Sequence, residues 1–239
     1  MADTIQGVIR KCINNTTTQF DKLGYIANNF SNYSTTGYKG VRFEQMINED
    51  GYLTGAVRTD YRQGSVRITS NPYDIALTGP GFIPVTSPTG EVQYTRDGSL
   101  KIGKDGYLVT NDGWVVGEGI KIPTDIYKLI IGKDGTVSAM ADKYSTPKKL
   151  GTIPIVQFAN HEGLAQGAEN KMKATDESGD AKLVKNHEYI AQNSLECSNV
   201  NVVDEANSML RLNASMIASL RMAKIVDDMY KKSINLRES

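Results

Sequence analysis

LECSNVNVVDEANSML, Leu195–Leu210, runs directly into RLNASMIASLRMAKIVDDMYKKSINL, Arg211–Leu236, and the fold turns on this stretch. Asp204 opens a run with neither Pro nor Gly. The spacing predicts a helix from there to about Leu236, a rod of roughly 45–50 Å at 1.5 Å per residue. Apolar residues fall at Ala206, Met209, Leu210, Met216, Ile217, Leu220, Ala223, Val226, Met229, Tyr230 and Ile234, in helical steps of three, four and seven. The stripe is longer and wider than a helix covering a small core requires. Such a helix needs partners along its length.

The other end of the chain offers one. Residues 3 to 30 read as a second helix, with Asp3 or Thr4 able to cap it. Ile5, Ile9, Cys12, Thr16, Gln19, Leu23, Ile26 and Phe30 recur at steps of four and three, a heptad seam. Thr16 and Gln19 weaken the seam, and the β-branched run Thr16-Thr17-Thr18 lowers helix propensity. Alone this helix is marginal, because helices take most of their stability from packing. The two terminal helices are expected to pair with each other; the other arrangement packs each separately on the middle of the chain.

Between them the texture changes twice. ANNFSNYSTTGYKG, Ala27–Gly40, is polar and turn-rich, a helix terminator leading into an extended linker. Residues 41 to 62 have weak periodicity and one Asp-Gly turn at Asp50-Gly51. From Gln63 short alternating runs are separated by tight turns, among them Asp97-Gly98, Asp105-Gly106 and Asp112-Gly113. Asp-Gly pairs between alternating runs signal hairpins, since both residues accept positive φ. About eight to twelve short strands are expected, all-β, to about Asn193. GKDG occurs at Gly103–Gly106 and again at Gly132–Gly135, a reused turn more than a duplicated unit.

Composition narrows the chemistry. Lys plus Arg and Asp plus Glu both number 27, so no global basic field points to nucleic acid. No window is apolar enough for a membrane span. The N-terminus lacks the apolar core of a secretory signal, so the expected routes are retention in the cytoplasm or export without a cleaved signal. Cys12 and Cys197 sit near opposite ends and read as free thiols, or as one bridge if the terminal segments meet. The isolated Asp-Gly turns lack the ligand density of a calcium loop. His161 and His187 stand in no metal or triad motif, and no nucleophile elbow, P-loop or HExxH helix is present. The sequence argues against an enzyme, and no cofactor is expected.

Three motifs then carry a resemblance covering most of the chain. The first is ANNFSNYSTTGYKG, with Asn29, Asn32, Thr35, Gly37, Tyr38 and Lys39. The second runs QGSVRITSNPYDIALTGPGFIPV and then YTRDGSLKIGKDGYLVTNDGWVVG. The third is LECSNVNVVDEANSML, with Glu196, Ser198, Asn199, Val200, Asn201, Val203, Glu205 and Met209. In these the chain resembles the flagellar basal-body rod proteins of bacteria, the group of FlgF and FlgG types related to the hook protein. It departs from them at NASMIASL, where an arginine-aromatic-glutamate cluster is usual.

The resemblance implies an α+β protein: long N- and C-terminal helices paired as a coiled-coil layer, with an all-β middle of short antiparallel strands. Residues 1–36 and 196–239 would form the helical inner-tube domain, 37–62 an extended linker and 63–195 the β-rich outer domain. The implied function is a non-catalytic axial subunit that stacks helically into the rod carrying torque from motor to hook. Its partners would be copies of itself, other rod and hook subunits and the flagellar type III export apparatus, with no nucleic acid and no small-molecule substrate. Expected assembly residues are Ile5, Ile9, Leu23, Ile26, Asn29, Asn32, Gly37, Tyr38, Lys39, Asn199, Asn201, Met209, Leu210, Met216, Ile217, Leu220, Met229 and Tyr230. Only 23 residues separate Lys39 from Gln63. That short segment favours the proximal, FlgF-type position over the distal, FlgG-type one. The competing reading is a glycan- or surface-binding β module on a helical stalk, with Tyr94, Tyr107 and Trp114 stacking on sugar rings.

Overall fold

The computed structural model describes residues 5–185 and 188–238, with side chains at 6–185 and 188–232. The expected caps Asp3 and Thr4, His187 and the side chains of Ile5 and Ile234 lie outside the described residues. Two helices and many antiparallel strands make the protein α+β. The chain divides into two compact units. A helical unit takes the residues up to Asn32, then Gly40–Asp60 and everything from Val200. A strand-rich unit takes Tyr33–Lys39 and Tyr61–Asn199.

In the helical unit, α1 spans Ile5–Ser31 and α2 spans Val202–Glu238. At 37 residues α2 is about 55 Å long. It starts two residues before Asp204 because Asn201 caps it: the Asn201 Oδ1 accepts from the Val203 amide at 3.0 Å. Asp204 and Glu205 then sit in the first turn, where carboxylates complement the helix dipole. Between the helices, Asn15 donates to Ser219 at 2.5 Å, Gln19 to Ser215 at 3.4 Å and Asn29 to Glu205 at 2.8 Å. Residue numbers rise on α1 as they fall on α2 by equal steps, so the helices run antiparallel. These contacts are polar and small; the apolar stripe of α2 does not make them. On α1 the seam faces inward: Gln19 and Ile26 are buried, and Ile9, Cys12, Thr16, Leu23 and Phe30 are half-buried.

Residues 37–62, expected as an extended linker, hold a hairpin of β1 (Val41–Ile47) and β2 (Leu53–Thr59). Its register runs from Val41 opposite Thr59 to Ile47 opposite Leu53. The hairpin is tied to α1. Asn29 donates to the Val41 carbonyl at 2.8 Å and accepts from the Val41 amide at 2.9 Å. Asn14 accepts from the Leu53 amide at 2.8 Å, and the Tyr25 and Phe43 rings stack with centroids 5.5 Å apart. Met46, Ile47 and Val57 remain exposed, so the alternation that marks a half-buried strand is blurred in the sequence.

The strand-rich unit is centred on a seven-stranded antiparallel sheet. Its order is Ala165–Gln166, Lys171–Lys173, Val92–Thr95, Ile83–Thr86, Val115–Val116, Leu108–Thr110 and Leu100–Ile102. A three-stranded sheet, Lys128–Ile131, Thr136–Met140 and Lys148–Thr152, lies in the same unit. Two-stranded pairs join Ile190–Gln192 to Ile75–Leu77, and Ser194–Glu196 to Val66–Ile68. The shared core includes Ile75, Leu77, Val85, Leu108, Val137 and Ile155. The strands outnumber the expectation, and the stretch is not strand alone: Asn160 caps a 3-10 turn at His161–Gly163.

The turns are one device repeated. At Asn48–Gly51, Ser87–Gly90, Gly103–Gly106, Thr110–Gly113 and Gly132–Gly135 the fourth amide donates to the first carbonyl at 2.9–3.0 Å. In each, the first amide also donates to the carbonyl just past the glycine. Each closing glycine has positive φ, whereas no Asp does among the described residues. The turns are therefore type I with a glycine bulge, where a two-residue turn would put both residues at positive φ. The two GKDG copies share this geometry. Asp97-Gly98 does not: Gly98 accepts from the Ile75 amide at 3.0 Å, and a Cβ there would stand 1.8 Å from the Ile75 oxygen.

Candidate functional site

The three sequence motifs meet at one carboxylate in the strand-rich unit. Glu196 ends the last strand of that unit and is fully buried. Its Oε1 accepts from the Lys39 ammonium at 2.7 Å and from the Gly64 amide at 2.9 Å. Its Oε2 accepts from the Arg96 Nε at 2.8 Å. The four remaining guanidinium bonds of Arg96 reach the carbonyls of Leu77, Gly79 and Gly81 at 2.8–3.4 Å. Lys39 also donates to the Arg62 carbonyl at 2.7 Å. Two cations and one anion are thus held out of water, with backbone carbonyls offsetting the excess positive charge.

Gly37 closes the same corner. Its amide donates to the Glu196 carbonyl at 2.8 Å, and at φ 66° its backbone lies in the left-handed region. A Cβ there would stand 2.5 Å from the Arg96 carbonyl carbon, so only glycine fits. Asn199 donates to the Arg62 carbonyl at 3.0 Å, and its amide reaches the Tyr38 carbonyl. The segments just after α1 and just before α2 are therefore fastened together within one unit. Glu196 and Arg96 are absent from the expected assembly residues. The only signal for them was their place in fixed-spacing motifs.

A third buried cation belongs to the sheet. Lys171 pairs with Asp112 and lies 4.8 Å from the Trp114 ring centroid. Burial pushes the Asp112 carboxyl up, but bonds from Lys171 and Thr110 outweigh it and hold the group below its ordinary value. Burial holds the Asp97 carboxyl above its ordinary value, against the two bonds it accepts from Ser99. The aromatics considered for sugar stacking are engaged one by one. Tyr94 packs edge-on against Phe158 at 4.8 Å, Trp114 underlies Lys171, and Lys121 stands 6.0 Å from the Tyr107 ring centroid. No group of three metal-ligating side chains occurs among the described residues. Cys12 and Cys197 are free and half-buried.

The expected assembly residues fall into two sets. Ile26, Asn29, Gly37, Tyr38 and Lys39 are buried within the chain, and Ile9, Leu23, Asn32, Asn199 and Met216 are half-buried. The five buried ones shape the subunit from within, and the half-buried ones keep part of their surface open. Asn32 bonds back to the Asn28 carbonyl at the end of α1, and Asn201 caps α2. In contrast, Met209, Leu210, Ile217, Leu220, Met229 and Tyr230 are exposed on α2. The side chains of α2 that bond to α1 are Glu205, Ser215 and Ser219, with Leu212 buried among the same helical turns.

The family model described as the flagellar hook protein FlgE/F/G D1 domain matches residues 76–139, within the strand-rich unit. Similarity to known proteins extends much further. The chain is 30% identical to the flagellar basal-body rod protein FlgG of Buchnera aphidicola from Schizaphis graminum, covering 88% of this chain and 92% of that one. It is 31% identical to the FlgG of Agrobacterium fabrum, over 88% and 92%. With the FlgF of Caulobacter vibrioides it shares 30%, over 87% and 86%. The chain belongs to the flagellar basal-body rod protein family.

Proposed function

We propose that this protein is a non-catalytic structural subunit of the flagellar basal-body rod, polymerising helically into the shaft that carries torque to the hook. The observation that carries this reading is the row of exposed apolar side chains on α2, from Met209 to Tyr230. A surface helix of an isolated protein turns such residues inward, and an exposed row marks an interaction face. A helical polymer needs heterologous contacts that repeat without closing, so each copy presents two different surfaces. The terminal helices α1 and α2, with the β1–β2 hairpin of the same unit, form the inner layer of the tube, and the strand-rich unit forms the outer domain. The subunit reaches the rod through the type III export apparatus without a cleaved signal. No described helix is long and apolar enough to cross a membrane.

The short Lys39–Gln63 segment favours the proximal, FlgF-type place, but FlgG names predominate among the relatives and lend that preference no support. Expression in strains lacking either FlgF or FlgG decides the position. Rescue of motility in the strain lacking FlgF would assign the proximal place and rescue in the strain lacking FlgG the distal one, with the protein recovered in detergent-extracted basal bodies in either case. Motility unrestored in both strains, with no protein in the basal bodies, would remove the rod assignment.

A further inference from the structure

The helical unit has a groove between α1 and the β1–β2 hairpin, about 810 Å³ in volume, lined in part by Thr17, Phe20, Asp21, Gly24, Tyr25 and Val57. Gly24 stands in the interior of α1, where glycine is less stable than alanine. A Cβ at Gly24 would meet no atom within 4 Å, so no neighbour among the described residues requires its absence. Glycine on an open helix face is explained by an element from outside that approaches the backbone closely. Phe20 and Val57 flank the position and are exposed. Asp21, at the same groove, makes no ion pair among the described residues.

The same unit carries a matching ridge elsewhere on its surface. Leu210, Ile217 and Arg221 stand at i, i+7 and i+11 on α2 and share one helix face. Leu210 and Ile217 are exposed, and Arg221 is exposed with no carboxylate partner among the described residues. We infer that the Leu210–Arg221 face of α2 of one copy docks in the α1–hairpin groove of a second copy. Leu210 and Ile217 would lie between Phe20 and Val57, Gly24 would admit the approaching helix, and Arg221 would meet Asp21. Groove and ridge differ, so the contact is heterologous and repeats from copy to copy as a helical polymer requires. The inference rests on the rod reading above and names the surfaces that reading leaves unspecified.

Two full-length variants test it. Gly24→Ala fills no occupied space and should raise the monomer's thermal midpoint by about 2–4 °C. Gly24→Leu should leave the monomer folded, since leucine is a good helix former, but lower recovery in rods by at least about tenfold. Cross-linking gives an independent readout in a Cys12→Ser, Cys197→Ser background. Copies carrying Gly24→Cys are co-expressed with copies carrying Ile217→Cys, so any disulfide between these positions is intermolecular. The expected disulfide should exceed that with Met222→Cys, exposed but turned about 140° from Ile217 around the helix. Normal rod incorporation of Gly24→Leu, or a cross-link no stronger than the Met222 control, overturns the docking while the rod reading stands. Absence of the unaltered protein from rods overturns the rod reading and the docking with it.

Discussion

Glu196 draws three hydrogen bonds from three stretches of chain far apart in sequence, and two of the donors are buried cations. Glu196→Gln keeps the shape but removes the charge facing Lys39 and Arg96. Breaking a buried pair in this way typically costs about 3–5 kcal/mol. Urea unfolding followed by Trp114 fluorescence should show a loss of that size; a loss below about 1 kcal/mol would mean that the cluster is not needed for stability. Lys39→Met leaves the Arg96–Glu196 bond in place and should cost less than Glu196→Gln. The sequence showed these residues only as members of motifs. Lys39 and Glu196 are 157 positions apart, and no local pattern links charges at that distance. Gly37 and Asn199 were legible as special positions, but the reason for Gly37, the crowding of Arg96, required coordinates.

At the scale of elements, legibility followed periodicity. Both helices and the existence of the strands came from spacing that repeats over many residues. The β1–β2 hairpin was missed because Met46, Ile47 and Val57 are apolar yet exposed, so hydrophobicity does not follow burial along it. Its position depends on Asn29, whose side chain holds Val41 on both sides and reaches Glu205 on α2. Asn29→Ala leaves those groups without these bonds, a cost of about 1–3 kcal/mol. Amide exchange in Val41–Ile47 and Leu53–Thr59 should rise by about tenfold or more, with exchange in the strand-rich unit unchanged. Equal protection in the variant would show that the hairpin is held by Tyr25–Phe43 stacking and the Asn14 bond instead. The apolar stripe of α2 was readable, but the face that meets α1 was not. Glu205, Ser215 and Ser219 bond to α1 and Leu212 is buried among the same turns; polar residues give no amphipathic signal, and Leu212 lies outside the stripe that the spacing picked out.

For the whole molecule, the order of the chain separates folding from assembly. The strand-rich unit is complete at Asn199, because its closing carboxylate and last strand lie at Ser194–Glu196. The helical unit, by contrast, needs residues from both chain ends. A chain truncated by deleting residues 204–239 keeps Glu196 and every hydrogen bond of the clamp, so the strand-rich unit should still unfold cooperatively. It loses the exposed α2 face, and its incorporation into rods should be abolished. A chain ending at Asn193 loses Glu196 and the Ser194–Glu196 pairing with Val66–Ile68, leaving Lys39 and Arg96 buried without their carboxylate. That shorter protein should fail to fold and should be degraded by protease where the strand-rich unit of the 1–203 protein resists. Limited proteolysis of the two purified chains, read beside the rod content of cells producing each, checks both parts. A 1–203 protein found in rods at normal levels would exclude α2 from assembly, and a protease-resistant 1–193 protein would show that the strand-rich unit closes without its buried clamp.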